Sequence, residues 1–435
     1  MSDSTVPRFS VVDDMYYRGH HGRGPSTVMQ GVWRFSERIA PDDLAAMHAA
    51  LSAGALTRRV HSPRTPWARR CLVGGGRVTP LFVDDTPIHD VVAWADRRAQ
   101  VPLDVDTGPV WELALGHVES GGSVVTLSCS HLVSGGVGMV AMAEASLATG
   151  DAVPEVTPAP QPPGWRDDIR DAVLLWVHVV WAVLVSFARA FTDPAVRDEL
   201  LDAARGTAAG GTRAVSAPDD HRTLLVDVDA EAFAALARRE NATPTALFVA
   251  LVAAAARRLH GRDAVRVAVP VAMPDGAVGS SVVTVASDTD LGDLSRRIRT
   301  VAARARERVV TSSTHPADPL ASVVGAPGGM PDELMQVLGD RIAGRVVGDP
   351  GMADGLASSL GFLPDAFLGV GGHPSTGLAV RAVTTNRSAA KTGVGAWMAR
   401  SSARVTFAFD VTGATGDEDV VADTLTAWGL DHHPW

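Results

Sequence analysis

Residues 102–139 read PLDVDTGPVWELALGHVESGGSVVTLSCSHLVSGGVGM, and the order of residue types in this stretch sets the fold class. Val110–Val118 and Ser123–Ser130 are apolar runs of strand length, and Glu119-Ser120-Gly121-Gly122 between them is turn chemistry, so the spacing predicts a β-hairpin. After Ser130 the character changes. Ser134-Gly135-Gly136 leads into a helix expected from Val137 to Leu147, and a hairpin followed by glycines and a helix belongs to a mixed α/β protein. His131 stands at the strand end, beside backbone that the glycines let approach a ligand closely. An imidazole held there is a candidate general base, because its ordinary pKa lies near neutrality.

Strand and helix patterns recur on both sides of this stretch. Upstream, Val28–Phe35 alternates as a strand and Asp42–Ala53 has helical spacing. Pro87–Ala99 is expected as a helix with Ile88, Val91, Val92 and Ala95 on one face. Downstream, strands are expected at Thr223–Val228, Val265–Val271, Ser281–Ala286, Leu378–Thr384 and Arg404–Val411. Helices are expected at Ala230–Glu240, Leu291–Val310 and Glu418–Trp428. Thr243 is placed to cap a further helix that opens on Pro244 and runs to His260. Two stretches interrupt these patterns: the Pro-rich 151–165 and the small, polar 206–220. They divide the chain into an N-terminal lobe (1–160), a linker with an apolar helix (161–220) and a C-terminal lobe (221–435).

The apolar helix, AVLLWVHVVWAVLVSFA at 172–188, holds no full charge between Asp171 and Arg189. At about 1.5 Å per residue it reaches roughly 25 Å, short of a hydrocarbon core of about 30 Å, and His178 sits at its middle. Both features argue against a span. Two readings stay open: a helix packed between the lobes, or one lying at a membrane surface with Trp176 and Trp181 at the interface.

Composition narrows the partners. The 435 residues include 39 Lys and Arg against 49 Asp and Glu, a net charge of −10 with no basic block, so nucleic acid is not an expected partner. Cys71 and Cys129 alone cannot build a disulfide framework. The opening MSDSTVPRFS has no charged-then-apolar signal pattern, so the expected location is the cytoplasm, peripheral to the membrane if the apolar helix touches lipid. His20-His21 and His432-His433 lack further ligands at metal spacing, and no metal is expected. Gly74-Gly75-Gly76 and Gly369-x-Gly371-Gly372 have no Walker lysine, and there is no Gly-x-Ser-x-Gly elbow.

Ser130-His131-Leu132-Val133-Ser134-Gly135-Gly136 resembles the His-His-x-x-x-Asp-Gly motif of the condensation-domain superfamily of acyltransferases. That group includes nonribosomal peptide synthetase condensation domains, polyketide-associated acyltransferases and wax ester synthase/diacylglycerol acyltransferases. Other pieces match in order. Phe9-Ser10-Val11-Val12-Asp13 is similar to the Leu-Ser-x-x-Asp opening of the wax ester synthase branch, and Thr243-Pro244-Thr245-Ala246-Leu247 to a helix of the second lobe. Val269-Pro270-Val271 with Gly279-Ser280, and Ser358-Ser359-Leu360-Gly361-Phe362-Leu363-Pro364, resemble a strand-and-turn and a Ser-Asn-x-Gly-x-x-Pro run of that branch.

The resemblance implies two chloramphenicol-acetyltransferase-like lobes meeting in a V, with an interlobe tunnel. It implies an acyl donor on coenzyme A or on the phosphopantetheine arm of an acyl carrier protein, a small-molecule acceptor, and no permanently bound cofactor. His131 would be the base, with Ser130, Ser134, Gly135, Gly136 and Ser359 lining the substrates. The chain departs from the motif at four places: Ser130 replaces the first His, Gly135 the Asp, and Ser280 and Ser359 two Asn. The expected function is therefore a stand-alone acyltransferase of bacterial secondary metabolism, making an ester or amide. The departures leave three alternatives beside it: a silent docking module for a carrier protein or tailoring enzyme, a cyclisation, elimination or rearrangement in the same tunnel, and wax ester or triacylglycerol synthesis.

Overall fold

The structure, a computed structural model, describes residues 6–23, 26–133, 160–192, 221–272, 278–314, 353–363, 365–385, 393–412 and 418–435. Helix α1 (Val11–His20) comes first, followed by β1 (Thr27–Phe35), a 3-10 turn (Pro41–Leu44), α2 (Ala45–Ala53), β2 (Arg59–His61) and β3 (Cys71–Val73). Next come β4 (Phe82–Ile88), α3 (Val91–Ala99), β5 (Trp111–Val118), β6 (Ser123–Ser130) and the long α4 (Trp165–Thr192). The second half holds β7 (His221–Asp229), α5 (Ala230–Arg239), α6 (Pro244–His260), β8 (Ala264–Ala272), β9 (Val278–Ala286) and α7 (Leu291–Thr314). It closes with β10 (Gly355–Phe362), β11 (Gly369–Val370), β12 (His373–Pro374), β13 (Gly377–Thr384), β14 (Gly393–Arg400), β15 (Arg404–Thr412), α8 (Glu418–Ala427) and β16 (His432–Pro434). The expected helix at 137–147, the loop at 206–220 and most of the Pro-rich stretch fall outside the described residues.

Local chemistry explains the boundaries. Ser10, Asp90, Asp229 and Thr243 each accept a hydrogen bond from the backbone N–H three residues on, which satisfies an orphan donor of α1, α3, α5 and α6. In the β5–β6 turn Gly122 has φ +87°, and a Cβ there would stand 2.2 Å from the Phe35 carbonyl oxygen, so the hairpin closes only with glycine. The helix expected at Pro87–Ala99 begins later, at Val91. Residues 82–88 instead run parallel to β5, with Ile88 opposite Val118, and Asp90 then caps the helix.

Two sheets result. The first has strand order β13-β1-β6-β5-β4, and the second β16-β7-β15-β14-β10-β8-β9. One edge strand of the first sheet is β13, which belongs by sequence to the second half. It pairs antiparallel with all but the last residue of β1, from Thr27 opposite Thr384 to Arg34 opposite Gly377. One face of the first sheet buries Met29, Trp33, Leu127, Cys129 and Val380 with Leu44, Met47 and Leu51. On the second sheet, α6 buries Leu247, Phe248, Leu251 and Val252 against Val226, Phe407 and Phe409. A third cluster joins the sheets, with Val32, Trp94 and Ala379 from one side meeting Leu225, Trp397 and Ala408 from the other.

A row of polar side chains runs along this seam. Arg381, Gln30, Ser128 and Glu112 are cross-strand neighbours on β13, β1, β6 and β5, and all are buried. Arg381 donates twice to Gln30 Oε1, at 2.9 and 2.7 Å, and pairs with Asp96 of α3 at 2.7 Å. Asp96 also accepts from Thr223 of β7, so one carboxylate touches both sheets. Glu112 binds Arg98 of α3 through both carboxylate oxygens. Such charges are tolerated in a core when nearly every donor and acceptor is matched, as most are here.

Helix α4 docks by ion pairs and a narrow apolar strip. Asp168 meets Arg8 at 2.8 Å, Asp171 meets Arg69 at 2.6 Å, and Ala172, Leu175 and Val179 are buried. Its other face leaves Ile169, Val173, Trp176, Val177, Val180, Trp181 and Leu184 exposed. Among the described residues no single helix is long and apolar enough to cross a membrane.

Candidate active site

Strand β6 ends where the motif begins. Ser130 N donates to Val110 O at 2.8 Å, and His131 N donates to Thr27 O at 3.1 Å, so the backbone entering the motif is held by both neighbouring strands. A tight turn follows, with Val133 N donating to Ser130 O at 3.1 Å. Leu132 and Val133 drop into the first core and leave His131 half-buried between them and α1.

The His131 ring lies flat on Tyr16 of α1, centroids 4.0 Å apart and planes 22° apart. Its Nδ1 is buried with no hydrogen-bond partner among the described residues. Burial pushes the imidazole pKa down to about 4, opposed by its own backbone and by the Asp13 carboxylate. The ring is therefore neutral at pH 7, the state in which it can accept a proton. Tyr16 is pushed up to about 12, first by burial and then by Asp13, so its phenol stays protonated.

Ser130, which stands where the motif has its first His, is completely buried and lies 2.6 Å from His20 Nε2 of α1. Burial and the neighbouring His21 lower the His20 pKa to about 4, against the pull of Asp106 and Asp104. The sequence flags His20 only as half of a His-His pair. The readable signal for its placement is the spacing of Asp13, Tyr16, Tyr17 and His20, which puts all four on one face of a helix.

Ser359 lies near the end of β10, opposite Met398 of β14. Its neighbours Leu360 and Leu363 pack in the large first core cluster to which Leu132 and Val133 also belong. Ser134, Gly135 and Gly136 lie outside the described residues. A cavity of about 110 Å³ opens beside the start of β13, lined by Leu363, Leu378, Ala399, Arg400 and Arg404, and His131 does not line it. Among the described residues no group of three or more His, Cys, Asp or Glu is placed to hold a metal ion.

No family model matches the sequence, and no curated protein matches it either. Solved structures do. The first condensation domain of the CDA synthetase is 14% identical, with a TM-score of 0.54 over 98% of this chain and 95% of that one. Polyketide synthase associated protein 5 from Mycobacterium tuberculosis is 13% identical, with a TM-score of 0.51 over 98% of each chain. The wax ester synthase/diacylglycerol acyltransferase from Marinobacter aquaeolei is 15% identical, with a TM-score of 0.50 over 98% of this chain and all of that one. The chain thus has the condensation-domain fold, over nearly its whole length. Fold alone does not fix chemistry, which has to be argued from the site.

Proposed function

We propose that the chain is an acyltransferase that moves an acyl group from a thioester, on coenzyme A or on a carrier-protein phosphopantetheine arm, to a hydroxyl or amine. The observation that carries this reading is a neutral, ring-stacked His131 at a strand end, in a fold shared with condensation domains and a wax ester synthase. His131 takes the proton from the acceptor as its oxygen or nitrogen attacks the thioester carbonyl. The C–S bond breaks, and the proton passes to the departing thiolate. A thioester is already activated, so positioning and one base supply most of what the reaction needs. On this reading the donor arm and the acceptor meet at His131 in a tunnel between the two lobes, and Gly135 and Gly136 are small enough in kind to let the arm pass.

His131→Ala should lower kcat by roughly 10²–10⁴ while the thermal transition stays in place. The measurement is release of free thiol from a panel of acyl-CoA and acyl-carrier-protein donors with alcohol and amine acceptors. Equal turnover by the alanine variant would remove His131 from the chemistry and with it this reading.

A second reading concerns location. The exposed stripe from Ile169 to Leu184 on α4, with Trp67 edge-on to Trp176 at 5.9 Å beside it, fits contact with a lipid surface.

A further inference from the structure

Helix α1 meets the motif turn at two points, one on each side of the His131 peptide. On the ring side, Tyr16 covers one face of the imidazole at 4.0 Å. On the backbone side, His20 Nε2 is 2.6 Å from Ser130 Oγ, and the same oxygen accepts from Leu132 N at 3.3 Å. A serine hydroxyl has one hydrogen and two lone pairs. With one lone pair taken by the Leu132 N–H, the hydroxyl hydrogen is free to point at His20, and a neutral ring with its proton on Nδ1 receives it. The relay from His20 through Ser130 to the Leu132 amide therefore brackets His131 on both sides in sequence.

The helix is itself fixed. Asp14 pairs with Arg18 and with Arg70 at 2.9 Å, and the Arg70 guanidinium lies over Tyr17, 4.3 Å from its ring centroid. Tyr17 donates to Asp106 at 3.2 Å, and His21 meets the same carboxylate at 3.1 Å. A segment tied at Asp14, Tyr17 and His21 cannot slide along the sheet without breaking several contacts. Within the helix, the Ser10–Asp13 capping box holds the first turn.

We propose that α1 is the positioning element of the site. Tyr16 seats the His131 ring, and His20, acting through the Ser130 hydroxyl, fixes the turn that aims it. On this account the imidazole missing from the strand at position 130 has been replaced by one on a neighbouring helix, with serine as the link. The proposal rests on reading His131 as the base, but its test needs no substrate. The groups that face the two histidines are Tyr16 and Asp13 for His131, and Ser130, His21, Asp104 and Asp106 for His20.

The experiment is NMR of the full chain carrying ring-labelled histidine, with the His131 signal assigned by its loss in His131→Gln. Tyr16→Leu should raise the His131 titration midpoint by roughly one pH unit or more, because water reaches the ring, and Tyr16→Phe should leave it in place. His20→Ala and Ser130→Ala should each displace the His131 resonance, and His20→Gln, whose amide oxygen can accept from Ser130, should restore it. Because His20 acts through Ser130, the double variant should move the signal no further than either single one. Additive displacements would show a general loosening and overturn the relay. An unmoved His131 signal in folded Tyr16→Leu and Ser130→Ala would overturn the whole proposal, and Ser130→Ala is conservative enough to remain folded if Tyr16→Leu is not. Should the signal respond as expected while no thioester is consumed, the positioning role stands and the acyltransferase reading falls.

Discussion

At the scale of single residues, His131 and His20 share one property, a pKa near 4 caused first by burial. Each is neutral when folded and titrates near 6.5 when unfolded, so between about pH 6.5 and 4 the unfolded chain binds more protons than the folded one. Their contribution to stability is complete above pH 6.5 and is lost as pH falls through that window. Turnover that needs neutral His131 should thus persist below pH 6, where an ordinary histidine would be charged, until unfolding removes it. Differential scanning calorimetry between pH 4 and 8 should show Tm falling below pH 6.5, and less steeply in His20→Gln. A kcat/KM profile with a midpoint at 6.5 and a pH-independent Tm would contradict the burial argument. The sequence put His131 at a strand end, where it stands, because hairpin chemistry is local. His20 was illegible as its neighbour, because contact between residues 20 and 130 depends on where α1 lies over the sheet.

Among elements, those whose signals are local lie close to their expected spans. The α6 helix opens on Pro244 behind its Thr243 cap, and β1, β6, β7 and β15 lie within two residues of their expected spans. Strands β10 and β14 escaped because glycine and small residues, as in GLASSLGF and GVGAWMAR, give neither alternation nor β-branched enrichment. Helix α4 was visible as an apolar run, but its docking was not. Asp168 and Asp171, which tie it to Arg8 and Arg69, look in sequence like an ordinary charged flank. Those ion pairs turn Leu175 and Val179 inward and leave Val173, Val177, Val180 and Leu184 outward. If this stripe lies on lipid, the chain should sediment with vesicles of phosphatidylcholine and phosphatidylglycerol. Replacing Val177, Trp181 and Leu184 by Ser should reduce the bound fraction about tenfold or more, since each loses on the order of 1 kcal/mol or more of apolar burial. Equal sedimentation by the triple variant would show that the stripe does not face lipid.

Over the whole molecule the two halves are less separable than a Pro-rich linker implies. The first sheet is finished by β13, whose Leu378, Val380 and Val383 are almost completely buried and whose Arg381 ends the polar row beside Gln30. The seam adds Asp227 of β7, fully buried, which accepts from Thr406 at 2.6 Å and faces Arg34 of β1 at 3.4 Å. A fragment of residues 1–192 contains every strand of the first sheet except β13. It would expose β1 as an open edge and lose three apolar side chains worth about 1.5–3 kcal/mol each. Set against a net stability of about 5–15 kcal/mol for a domain, that loss is most of what the fragment has. The fragment should therefore give no cooperative thermal transition, while the full chain should unfold in one step seen alike by circular dichroism and tryptophan fluorescence. The seam links the two probes, since Trp33 and Trp94 report the first sheet and Trp397 the second. A fragment that melts sharply within a few degrees of the full chain would establish the first lobe as an independent domain and reduce β13 to a detachable strap.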